Sequence, residues 1–150
     1  MSAASFGICL ALASSAAGPP VFVPLQRFTL AWTHSIEKVR WEEDYEVRRP
    51  QSGEVLPSLA LVEARVRGSG AGMEPPPDAV LRHGWYEYRP APTRESELRL
   101  VRSAFAADYE LCTSAGCRPL GALLRSDGGV TRMYACRSPD AQTVAPHSAR

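Results

Sequence analysis

Hydrophobic and polar positions alternate with a period of two along much of the chain, the pattern of half-buried β-strands. From Arg27 the alternation is strict. Phe28, Leu30, Trp32 and His34 share one face, and Thr29, Ala31, Thr33 and Ser35 share the other. A short turn over residues 36–40 follows, and the pattern then resumes. Trp41, Glu43, Tyr45 and Val47 fall on one side, with Glu42, Asp44, Glu46 and Arg48 opposite. The acids on the second face read as a solvated edge, whereas the phase places Glu43 with the aromatics. A helix over residues 36–47 is the second reading, because Ile36 and Val39 are three apart. Residues 55–66 read as a long central strand, apolar on both faces over 59–62, with Pro57 at its start or at a bulge. Trp85–Tyr88, residues 97–105 and residues 129–136 read as further strands. Residues 109–112 and 117–124 read as a hairpin across Thr113-Ser114-Ala115-Gly116. The pattern predicts an all-β domain over residues 26–137, with seven or eight mostly antiparallel strands in a sandwich or barrel-like arrangement.

The flanks differ. Residues 6–12 are a short apolar run, followed by small residues through Gly18. Residues 1–25 therefore read as a secretory signal segment or disordered N-terminus, with Ala11-Leu12-Ala13 or Ser15-Ala16-Ala17 as cleavage sites, although no Lys or Arg precedes the run. It is too short to span a membrane, and Gly18-Pro19-Pro20 breaks any helix through it. Residues 68–77 carry three glycines and then three prolines, and read as a long loop. Residues 138–150 are polar and aperiodic, and read as a loose tail.

Composition adds limits. One domain of 150 residues, 45% hydrophobic and 22% charged, can bury its own core. Sixteen arginines and one lysine, Lys38, offset sixteen acids to a net charge of +1. They form no basic patch, so nucleic acid is not an expected partner.

The stretch from Trp32 to Tyr45 concentrates the candidate chemistry. His34 and Glu43 share the apolar side and read as a His–carboxylate pair, suited to acid/base work or to binding, with Glu37 close in sequence. With His83 added, a metal site is an alternative; so is a purely structural His–Glu contact. Ser35 points away from His34, and no Gly-x-Ser-x-Gly elbow is present, so serine hydrolysis is not favoured. Gly70 and Gly72 can offer bare N–H groups to an anion, with Met73 beside them. Cys112 and Cys117 flank the hairpin loop and are disulfide candidates, which would leave Cys136 odd. No cofactor is implied.

Trp32-Thr33-His34-Ser35-Ile36-Glu37-Lys38-Val39-Arg40-Trp41-Glu42-Glu43, then Gly70-Ala71-Gly72-Met73, then Gly84-Trp85-Tyr86, resembles a bacterial family catalogued as Domain of Unknown Function eighteen-fifty. The likeness runs from about Phe28 to Val130. Members are small, carry an N-terminal signal or anchor, and are often encoded beside TRAP transporters of the TAXI type. The resemblance implies a periplasmic or otherwise exported, non-enzymatic accessory or ligand-handling partner of such a transporter. It would bind a solute-binding protein, the membrane subunits or a small anionic solute. His34, Glu37, Trp41, Glu43, Gly70, Gly72 and Met73 are the expected ligand-binding residues. A small metal-dependent or acid/base hydrolase is the alternative function.

Overall fold

A computed structural model describes residues 5–14, 18–34, 38–68, 77–91 and 93–139. Among them the chain is all-β. The strands are β1 (Phe6–Leu12), β2 (Val21–Val23), β3 (Arg27–Thr33), β4 (Arg40–Arg48), β5 (Ser58–Arg67), β6 (Val80–Arg82), β7 (Trp85–Tyr88), β8 (Leu98–Val101), β9 (Glu110–Thr113), β10 (Gly116–Pro119) and β11 (Val130–Arg137). A single 3-10 turn covers Leu120–Ala122. The eleven strands exceed the seven or eight expected by β1, whose run reads as a signal segment, and by β2 and β6, which are too short to show a period.

Two antiparallel sheets face one another without closing into a barrel. One has the order β2-β1-β11-β8 and the other β10-β9-β3-β4-β5-β7-β6. Their inner faces meet in a core containing Ile8, Leu10, Val23, Phe28, Leu30, Tyr45, Leu59, Leu100, Leu111 and Met133. Ile8, Leu10, Leu59 and Met133 are wholly buried. Burying each such side chain contributes about 1.5–3 kcal/mol before the entropy of ordering it is deducted.

Residues 6–12, expected as the apolar core of a signal segment, form a central strand. β1 pairs with β11 along its whole length and with β2 on its other edge. Removal of the chain up to residue 13 or 17 would take out this strand and much of the core. The Cys9 sulfur is bonded to Cys136, so Cys136 is not the odd cysteine. Register explains the pair: Cys9 lies opposite Tyr134, which places Cys136 two residues along on the same face of the neighbouring strand.

β4 is central, and the acids on its outer face do not form a solvated edge. Thr29 Oγ1 donates to Asp44, and Arg65 bonds both Asp44 and Glu42. Arg40 then bonds Glu42 and Glu110. Opposite charges thus alternate across β9, β4 and β5. Burial works against the charge on Arg65, but hydrogen bonds to Asp44 and Glu42 outweigh it and hold its pKa above the ordinary value.

A second polar knot closes the far end of the four-stranded sheet. Arg102, 3% exposed, donates two hydrogen bonds to Asp108 and one to the buried Thr131. Asp108 in turn accepts the backbone N–H groups of Tyr109 and Gly121. The β8–β9 loop, the 3-10 turn and β11 are tied at one point.

Candidate functional site

The inner face of the seven-stranded sheet runs past the core into a half-buried aromatic surface. β3 and β4 pair so that Trp32 faces Trp41, Leu30 faces Glu43 and Phe28 faces Tyr45. Across β4 and β5, Trp41 faces Val66 and Glu43 faces Ala64; across β5 and β7, Val66 faces Tyr86 and Ala64 faces Tyr88. Trp32 stacks on Trp41 with ring centroids 6.2 Å apart, and Tyr109 tilts onto Trp32 at 6.0 Å. Phe28 stacks on Tyr45 at 5.5 Å.

Glu43 sits inside this surface. Its Oε1 accepts a 2.8 Å hydrogen bond from the Tyr45 hydroxyl. Among the described residues no Lys or Arg pairs with it. Burial pushes its carboxyl above the usual carboxylate range, the Tyr45 hydrogen bond offsets this in part, and the charge of Glu95 adds to it. Burial likewise raises the phenols of Tyr45, Tyr88 and Tyr109, and the Glu43 charge raises all three further. One carboxylate is therefore felt by three tyrosines. On the same face, the Trp41 Nε1–H is buried and has no hydrogen-bond partner among the described residues. Buried donors are nearly always paired, so this N–H is a polar demand that the described residues do not meet.

The expected His34–Glu43 pair is not formed. His34, half-buried, follows β3 directly: its N–H donates to the Val39 carbonyl, and its own carbonyl accepts from the Lys38 N–H. Glu43 lies opposite Leu30, four residues earlier on β3. At roughly 3.4 Å per residue, the two positions are roughly 13 Å apart along the hairpin. Strand phase put both on one face, and only the register could show the separation. His83 occupies the first of two positive-φ positions in the His83–Gly84 turn between β6 and β7, exposed to solvent. Among the described residues no group of three or more His, Cys, Asp or Glu side chains converges as a metal site requires. Ser35, Glu37, Gly70, Gly72 and Met73 lie outside the described residues.

Cys112 and Cys117 face each other across the β9–β10 hairpin and are bonded. The Arg40 guanidinium lies 3.8 Å from both sulfurs. Tyr45, Tyr109 and Glu95 were missed as neighbours of Glu43. The i, i+2 spacing on β4 is a signal that could have found Tyr45; Tyr109 and Glu95 reach the site through long-range pairing.

Among the described residues no helix is long and apolar enough to cross a membrane. No curated protein and no solved structure matches the chain. A family model matches residues 28–120, more than half of the 150, and covers β3 to β10 with the whole Glu43 surface; the chain belongs to the family described as Domain of unknown function (DUF1850).

Proposed function

We propose that this domain is a non-enzymatic ligand-handling module, exported to an oxidising compartment, where it works beside a TRAP-type transporter of the TAXI class. The observation that carries the binding role is Glu43: a half-buried carboxylate with no cationic partner among the described residues, set among Trp32, Trp41, Tyr88 and Tyr109 on the face that also holds the unused Trp41 N–H. A carboxylate on an aromatic surface favours a solute or peptide group that brings its own cation or N–H donors. Acid/base chemistry has less support, since His34 is too far away to act on Glu43. Export is supported by the cysteines, all four of which are in disulfides, a state that persists in oxidising compartments. The transporter association is what the family resemblance implies, and it makes a solute or a solute-binding protein the natural partner.

The test is a thermal-shift screen of the oxidised chain against small amines, amino acids, organic acids and divalent metals, with a TAXI-type solute-binding protein as a further titrant. A ligand at 100 times its Kd raises stability by about 2.7 kcal/mol, a shift that is easily read. Stabilisation that disappears in Glu43→Gln supports the reading. No stabilisation by any titrant, or stabilisation indifferent to Glu43, refutes it.

A further inference from the structure

The two sheets leave an opening at one edge, where β2 of the smaller sheet faces β9 and β10 of the larger. A cavity of about 240 Å³ lies there, and its walls include Val23, Leu25, Leu111 and Leu123. All four are aliphatic side chains packed in or against the core, so the chamber is apolar. Arg118 also lines it. Arg118 lies opposite Leu111 in the β9–β10 register, and paired residues share a face, so its side chain is on the inner side of the sheet. Arg118 is half-buried, and among the described residues its buried Nη2 has no hydrogen-bond partner. Among the described residues, Arg118 is in no ion pair. Thr113, two residues beyond Leu111 on the same face, adds a hydroxyl to the wall.

A buried guanidinium N–H left without an acceptor is costly for the empty protein. The surrounding elements could have covered it with an acid, as they did for Arg40, Arg65 and Arg102. From the combination of an apolar wall and this orphan cation, we infer that the cavity is a binding site for a small amphipathic monoanion, whose carboxylate pairs with Arg118 while its aliphatic tail fills the space beside Val23 and Leu123. At roughly 30 Å³ per water-sized group, the volume holds about eight non-hydrogen atoms. That corresponds to a six-carbon carboxylate. The site goes beyond the Glu43 surface and is separate from it. Arg118, Leu111, Leu30 and Glu43 lie in one cross-strand row, so three strand spacings of roughly 4.8 Å, about 14 Å in all, stand between them.

Calorimetric titration of the oxidised full chain with hexanoate, hexylamine and acetate tests the assignment. Hexanoate should bind with one site per chain, hexylamine should not bind, and acetate should bind at least tenfold more weakly. Arg118→Met should weaken hexanoate by about tenfold to a hundredfold, the range for losing a charge-assisted hydrogen bond. The melting temperature of the ligand-free Arg118→Met variant should equal or exceed that of the wild type, because the variant no longer buries an unpaired N–H. Leu123→Trp, which leaves Arg118 in place and fills the chamber, should also abolish binding. Glu43→Gln should bind hexanoate normally, so this site and the Glu43 surface can fail independently. The inference is overturned if hexanoate does not bind, if hexylamine binds as well, or if Arg118→Met binds hexanoate like the wild type.

Discussion

The two disulfides should contribute very differently to stability, and the difference follows from chain separation alone. Cys9 and Cys136 are 127 residues apart, whereas Cys112 and Cys117 are five apart. In the chain-entropy description, a cross-link stabilises by removing conformations from the unfolded chain, and the effect grows with the logarithm of the loop. Separations of 127 and 5 give about 4.9 and about 2 kcal/mol at room temperature. For a domain of this size, 1 kcal/mol shifts the melting temperature by roughly 2–4 °C. Cys9→Ala/Cys136→Ala should therefore lower it by about 10–20 °C, and Cys112→Ala/Cys117→Ala by about 4–8 °C. Urea denaturation of both variants and the oxidised wild type, followed by tryptophan fluorescence, gives the free energies directly. Reduced wild type should match the two losses combined. Equal losses from the two pairs, or a larger one from the hairpin pair, would refute the entropic reasoning. They would instead place the effect in native contacts, such as those Arg40 makes with the hairpin sulfurs.

Asp108→Ala strands the buried Arg102 guanidinium and should cost about 3 kcal/mol, the low end for breaking a buried pair because Asp108 is partly exposed; chemical denaturation measures it. Glu43 has its folded pKa raised, so its contribution is fully present below the ordinary value of 4.5 and is lost as pH rises through the folded pKa. The melting temperature of Glu43→Gln should therefore exceed that of the wild type at neutral pH, with the gap closing as pH falls towards 4.5; a gap that widens on acidification would reverse the sign of the argument. Tyr45→Phe removes a hydroxyl that Glu43 accepts from, and should raise the Glu43 pKa further while costing about 1–2 kcal/mol, readable by carboxyl NMR titration and by denaturation. Gly7→Ala places a Cβ against the Val23 carbonyl oxygen and 2.8 Å from the Phe22 ring; overpacking between β1 and β2 should cost about 2–3 kcal/mol in urea denaturation.

The faces of β3 and β4 were legible in the sequence because one side of each strand is buried, and alternation reports that directly. β5 was placed correctly as a central strand, although it begins at Ser58, past Pro57. The strand at residues 6–12 was not legible as a strand. It is buried on both faces in the structure, so it shows no alternation, and a continuous apolar run followed by small residues matches a signal segment equally well. The His34–Glu43 pair failed for another reason: phase fixes the face a residue occupies, while distance depends on the register between strands. The Arg102–Asp108–Thr131 knot joins three segments whose proximity no local pattern encodes. Arg118 read as one of many scattered basic residues, and only the opening between the sheets gives it a role.

The pairing of β1 with β11 also sets an order of events. β1 finds β2 locally, but its other edge belongs to β11, more than a hundred residues further along the chain. Until β11 arrives, Ile8 and Leu10 lack half their cover, and an unpaired strand edge stays open to any other extended chain. Non-local pairings of this kind slow folding, so the docking of β11 should be the late step that completes the smaller sheet. The Cys9–Cys136 bond joins these same two strands, so once formed it holds β11 against β1 and keeps that late-closing edge covered.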